Sequence, residues 1–238
     1  MLKAVFFDAA GTIFHTREPA GMSYARIARR FGLEADADAV VAAFRRAFHA
    51  APGLAFGPGR PGAELRRMER EWWRALVLRT FDGVGRFADF EAYFDALFTF
   101  FADPANWTAD PDAPALLATL KARGMLLGVI SNFDYRIYRV IEALGLAQYF
   151  DSITISSEAG WAKPAPEIFR AALGRHSLSP AEAVHVGDSE THDLRGACGV
   201  GMGAILVDPQ SAEALAVAGR CARVRALGDT AIAVEQIG

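Results

Sequence analysis

The chain has 238 residues, 52% of them hydrophobic and 22% charged, with a formal net charge of −3. This is the composition of a packed globular protein and excludes intrinsic disorder, while the mild acidity excludes the basic surface that nucleic-acid binding demands. Asp8 interrupts the apolar start too early for a signal peptide, and no apolar run approaches the ~18 residues of a membrane span, so the expectation is a cytoplasmic protein without a membrane partner.

The first apolar run, 4–7, is continuous and not alternating, as expected of a strand buried on both faces. It ends at Asp8-Ala9-Ala10-Gly11-Thr12. A carboxylate at the carboxyl end of a strand can act as nucleophile or metal ligand. Gly11 permits a tight turn whose backbone N–H groups face an anion. The same residues also suit an ordinary strand-to-helix turn.

From 17 to 108 the pattern is helical, with segments at 22–31, 38–48, 63–78 and 87–101 and no strand. A Gly/Pro-rich loop at 51–62 interrupts it, and Asp-Pro turns at 103–104 and 110–111 lead the chain out. The aromatics Trp72, Trp73, Phe90, Tyr93, Phe94, Phe98, Phe100 and Phe101 predict a helix-bundle core. This stretch is too long for a single crossover and reads as an inserted all-helical cap.

Beyond it, strands at 126–130, 152–155, 183–186 and 203–207 alternate with helices at 138–144, 166–173 and 191–197. Such alternation predicts an α/β fold, a doubly wound parallel sheet with a Rossmann-like core formed by 1–16 and 109–238. Ligands then sit at the carboxyl ends of the strands. Three further polar sites fall there. Ser131-Asn132 follows Val129-Ile130, as a helix cap or a phosphate ligand. Lys163 lies in the rigid turn Trp161-Ala162-Lys163-Pro164-Ala165-Pro166; the other lysines are Lys3 and Lys121, and a solvated surface position is its ordinary reading. The run from Gly187 to Asp193 carries Asp188 and Asp193, five apart, where an N-cap and a turn are the ordinary reading. Cys198 and Cys221 have no metal-ligand spacing and read as ordinary thiols of a reducing compartment.

In this order, and each at a strand end, the four sites resemble the haloacid dehalogenase-like hydrolase superfamily. The resemblance covers 1–14 and roughly 112–207, and the helical insert at 17–108 matches the superfamily's cap in position and size. Ser131-Asn132-Phe133-Asp134 and the run from Lys163 to Phe169 look most like the subgroup of domain-containing protein 3. The resemblance implies that Asp8 attacks phosphorus in line, giving an aspartyl-phosphate that water hydrolyses. It implies Mg²⁺ held by Asp8, the carbonyl of Ala10 and Asp188, with Asp193 acting directly or through water. Ser131, Lys163, Thr12 and Asn132 would face a small phosphorylated substrate, with catalysis mainly by positioning and electrostatics. A cap closing over the core would exclude water. A monomer or a homodimer is expected.

One position departs from the pattern. Family phosphatases carry a second Asp two residues after the nucleophile, as acid and then base; here it is Ala10. His15, seven residues after Asp8, is the candidate replacement, while His49, His176 and His185 read as structural. Two alternatives follow from Ala10. One is a non-catalytic relative that binds a phospho-ligand or a protein. The other is a 2-haloacid dehalogenase, which Asp8, Ser131, Asn132 and Lys163 fit and Asp188 does not.

Overall fold

The computed structural model describes residues Met1–Gly238. In chain order the strands are β1 (Ala4–Phe7), β2 (Phe14–Thr16), β3 (Trp107–Ala109), β4 (Leu126–Ser131), β5 (Ser152–Ile155), β6 (Ala183–Gly187), β7 (Gly203–Val207), β8 (Leu215–Ala218) and β9 (Cys221–Val224). The helices are α1 (Ala20–Arg29), α2 (Ala37–Ala50), α3 (Gly62–Phe81), α4 (Phe90–Ala102), α5 (Ala113–Ala122), α6 (Arg136–Ala143), α7 (Ser156–Ala159), α8 (Pro166–Gly174), α9 (Gly196–Gly199) and α10 (Thr230–Ile237). No helix is long and apolar enough to cross a membrane.

Seven strands form one sheet in the order β5-β4-β1-β6-β7-β9-β8, parallel throughout except for the β8/β9 hairpin. The doubly wound core expected from the apolar runs is therefore present. β1 is central because all four of its side chains are apolar and fully buried, with neighbours on both edges. α8 and α9 cover the face presented by Ala4, Phe6, Ile130 and Ala204. Phe7 is in register with Val129 on one side and Val186 on the other. Asp8, Ser131 and Asp188 thus emerge together from the carboxyl edge of three adjacent strands, where strand order reverses and ligands bind.

The chain divides into two compact units, Met1–His15 with Leu54–Arg60 and Ala109–Gly238, and Thr16–Gly53 with Pro61–Thr108. The first contains the sheet. The second contains α1–α4, with a core of Tyr24, Ile27, Val77, Phe81, Tyr93, Phe94 and Leu97. Its aromatics form that core: Tyr93 is fully buried, donates to the Tyr24 carbonyl at 3.1 Å, and its hydroxyl is held well above the usual phenol range by burial. Arg70 lies over the rings of Phe94 and Phe98, so part of the charged surface also covers aromatic area. Asp36 and Asp89 start α2 and α4 by accepting from the N–H groups of Ala39 and Ala92.

Four expectations need correction. The loop segment Leu54–Arg60 belongs to the core unit and not to the insert. Its backbone polar groups find partners there: Ser156 Oγ donates to the Leu54 carbonyl at 2.6 Å, and Gly57 N–H to the Gly160 carbonyl at 3.2 Å. A Cβ on Gly160 would lie 2.3 Å from the backbone of Gly57 and Pro58, so glycine permits this approach. Second, the stretch 17–108 is not free of strand, since Trp107 and Thr108 begin β3, which pairs with β2 just ahead of the stretch. Third, the helix expected over 191–197 is a wide π-type turn over Glu190–Arg195 followed by α9. Fourth, β8 and β9 extend the sheet beyond the expected five strands.

Candidate active site

The loop after β1 is closed by backbone bonds. The N–H groups of Thr12 and Ile13 donate to the Ala9 carbonyl, and Gly11 N–H donates to the Phe14 carbonyl at 2.9 Å. Gly11 adopts φ +104°, a conformation that side-chain-bearing residues rarely take, and a Cβ there would lie 2.6 Å from Asp188 Oδ2. The turn therefore needs glycine both for its backbone and to leave room for Asp188. Thr12 is buried and its hydroxyl has no protein partner. Asp8 N–H donates to the Val186 carbonyl at 2.8 Å, which ties the start of this loop to β6.

Lys163 lies at the centre of the site. It is 4% exposed, and its Nζ donates to Asp8 Oδ1 at 2.7 Å and to Asp193 Oδ1 at 2.6 Å. Burial alone would favour the neutral amine, but the charges of Asp8 and Asp193 outweigh it and hold Lys163 above the usual lysine range. The carboxamide of Asn132 fixes its backbone from both sides. Lys163 N–H donates to Asn132 Oδ1 at 2.7 Å, and Asn132 Nδ2 donates to the Lys163 carbonyl at 2.9 Å. The Lys163–Pro164 peptide is cis. The surface reading of this lysine is thus excluded.

Asp193 is 2% exposed and accepts three hydrogen bonds, two from side chains and one from a backbone N–H. Its Oδ1 takes Lys163 Nζ and His185 Nε2, the latter at 2.8 Å, and its Oδ2 takes Ser189 N–H at 3.0 Å. Burial would raise its pKa, but Lys163 and the bond from His185 hold it well below the usual carboxylate range. Gly187 makes room for it, since a Cβ there would lie 2.2 Å from Asp193 Cγ.

His185, which its sequence position presents as a structural residue, is part of this network. Burial lowers its pKa and keeps it neutral, so the nitrogen facing Asp193 carries the hydrogen and Nδ1 is left bare and without a partner. The available signal was a lone polar residue in the otherwise apolar strand Ala183–Gly187, two positions before Gly187.

Asp8, Asp188 and Asp193 present carboxylate oxygens within 4.8 Å of one another. Asp188 is at the exposed lip of this group. Desolvation by the surrounding protein, and then the charges of Asp8 and Asp193, push its carboxyl up to about 6. Because its side chain still meets water, repulsion among the carboxylates is the cause that bears most on cation binding. Three carboxylates facing one lysine leave negative charge uncompensated, and an all-oxygen donor set suits a hard divalent cation such as Mg²⁺.

Asp8, Lys163, Asp188 and Asp193 thus form one cluster, Asn132 grips it from behind, and Ser131 closes β4 at the same sheet edge. Ala10 bridges to Phe14, leaving only its methyl as a side chain. His15 is engaged elsewhere, its Nε2 3.3 Å from Asp110 Oδ2.

A family model described as haloacid dehalogenase-like hydrolase matches residues 2–201. The haloacid dehalogenase-like hydrolase domain-containing protein 3 of Bos taurus is 37% identical over 212 residues, covering 87% of this chain and 82% of its own. The glyceraldehyde 3-phosphate phosphatase of Methanothermobacter thermautotrophicus is 29% identical, covering 90% of this chain and 89% of its own. Among solved structures, L-2-haloacid dehalogenase from Xanthobacter autotrophicus superposes with a TM-score of 0.72 over 100% of both chains at 20% identity, a likeness of fold.

Proposed function

Because the chain belongs to the haloacid dehalogenase-like hydrolase family, we propose that it is a Mg²⁺-dependent hydrolase of small phosphate monoesters, acting through an aspartyl-phosphate on Asp8. The observation that carries this reading is the contact of Asp8 Oδ1 with Lys163 Nζ at 2.7 Å, beside the acidic group of Asp188 and Asp193. The phosphatase named among its relatives supports the same reaction class.

In this reading Asp8 attacks phosphorus as the bond to the leaving oxygen breaks, and water later releases phosphate from Asp8. Lys163, already charged and fixed by Asn132, meets the equatorial oxygens of the transferring group. Ser131 and Thr12, whose hydroxyl lacks a protein partner, supply further donors. His185 and Ser189 hold Asp193, which in turn orients Lys163. Asp8, the Ala10 carbonyl, Asp188 and Asp193 would hold Mg²⁺, which when bound would supply the positive charge that lets an anionic nucleophile approach an anionic phosphate.

Ala10 cannot move a proton. General acid–base catalysis contributes about 10²–10⁴-fold, so turnover is slow unless another group takes that role. His15, paired with Asp110, is the proposed substitute. A His15→Ala variant with an unchanged pH–rate profile eliminates it. The same alanine favours a second reading, a phospho-ligand binder without turnover.

Phosphate release from p-nitrophenyl phosphate and a sugar-phosphate panel, with Mg²⁺ or EDTA and with Asp8→Asn as control, separates the two. Release that requires both Mg²⁺ and Asp8 supports the hydrolase. Absence of release, with Mg²⁺-dependent phosphate binding retained in calorimetry, supports the binder.

A further inference from the structure

The two cysteines are 23 residues apart in sequence, yet the fold brings Cys198 Sγ within 2.7 Å of Cys221 Sγ. Cys198 is on α9 and Cys221 opens β9, in register with Ala204 of the adjacent β7. Both are free and half-buried, and both pack against the cluster of Ile168, Phe169 and Ala197. The fold holds them in place from both sides. Met202 N–H and Gly201 N–H donate to the carbonyls of Ala197 and Cys198, and Ala204 N–H donates to the Arg220 carbonyl at 3.0 Å. A disulfide S–S bond is ~2.05 Å, so the sulfurs need to close by less than an ångström.

We propose that Cys198 and Cys221 are an oxidation site, a thiol pair that forms an intramolecular disulfide with a small disulfide oxidant such as oxidised glutathione. One cysteine, as its thiolate, attacks a sulfur of the oxidant and releases one thiol. The second cysteine, losing its proton, then attacks the mixed disulfide and releases the other. The two protein thiols are oxidised by two electrons in total, and one oxidised glutathione is reduced to two thiols. Burial and the neighbouring sulfur push the Cys198 thiol up to about 12, which slows formation of its thiolate. The bond would tie α9, which directly continues the Glu190–Arg195 turn that carries Asp193, to β9. It is independent of the hydrolase reading.

The test is incubation of the folded wild-type chain in glutathione buffers of rising oxidised fraction. Alkylation and digestion with trypsin follow, without reduction, and far-UV circular dichroism monitors the fold. Cleavage after Arg195, Arg220 and Arg223 leaves the cysteines on separate peptides, 196–220 and 221–223. The expected result is a linked pair of these peptides, two hydrogens lighter than their sum, restored to free thiols by dithiothreitol. Cys198→Ser should instead retain glutathione on Cys221. The proposal is overturned if both thiols stay alkylatable at every ratio. It is equally overturned if only glutathione adducts or disulfides between chains appear, or if the link forms only in denaturant.

Discussion

Asn132 and Lys163, 31 residues apart, exchange a closed pair of hydrogen bonds: the side chain of one takes both the N–H and the carbonyl of the other, at 2.7 and 2.9 Å. This pair determines where the Lys163 ammonium can reach. Misplacement of a reacting group by about 1 Å can cost about 10²-fold in rate. Asn132→Ala is therefore expected to lower kcat by up to that factor while leaving Mg²⁺ affinity nearly unchanged. Steady-state kinetics beside calorimetric Mg²⁺ titration provides the check; equal loss of both parameters would place Asn132 in general stability instead.

Lys163→Met removes the only cation in contact with Asp8 and Asp193 and leaves two buried carboxylates unpaired. Breaking a buried pair from one side costs about 3–5 kcal/mol. The variant should unfold at a clearly lower temperature than the wild type and recover part of the difference in millimolar Mg²⁺. An unchanged midpoint in EDTA would show that the lysine is not the charge that holds this group together.

Asp188 yields a pH dependence. Its folded pKa of about 6 lies above the carboxylate's ordinary 3.8, so the folded site binds that proton more tightly than the unfolded chain does. In the metal-free protein its contribution to stability is therefore greatest below the unfolded value and is lost as pH rises through about 6. For a cation the sign reverses, because the proton competes with it. Mg²⁺ affinity should fall about tenfold per pH unit below that point and level off above it. Calorimetry between pH 5 and 8 measures this, and Asp188→Asn should bind weakly with a flatter profile.

Gly187→Ala sets a methyl 2.2 Å from Asp193 Cγ. Overpacking of this kind costs about 1–3 kcal/mol and displaces the carboxylate. Denaturant unfolding should show that loss, together with weaker Mg²⁺ binding. Gly174→Ala, whose Cβ meets nothing within 4 Å, serves as the neutral control.

The parts legible in the sequence were those with one dominant physical cause. Continuous apolar runs such as Ala4–Phe7 can be buried only on both faces, which located the sheet and the strand ends where Asp8, Ser131 and Asp188 lie. The aromatics of the insert identified a helical core, since that many rings cannot all be exposed. What remained hidden depended on distant partners. β8 is an edge strand that leaves Val217 and Ala218 exposed, and β9 is interrupted by Arg223 and is defined by its pairing with β7. The place of Leu54–Arg60 follows from bonds to Ser156 and Gly160, about a hundred residues away. The role of His185, marked in the sequence only as a polar residue in an apolar strand, and the pairing of the cysteines were hidden for the same reason: their partners are brought to them by the fold.

The most direct measurement of the central claim is capture of the phosphorylated enzyme. p-Nitrophenolate leaves without a proton donor, so the loss at Ala10 should spare the first step with p-nitrophenyl phosphate and retard hydrolysis of the product on Asp8. Rapid mixing with Mg²⁺ should give a burst of p-nitrophenolate approaching one per chain. Borohydride quenching should then convert the Asp8 carboxyl to the alcohol, identified by mass spectrometry of the N-terminal peptide. A steady release of phosphate with Asp8 unmodified, or with the Asp8→Asn variant equally active, would contradict the account.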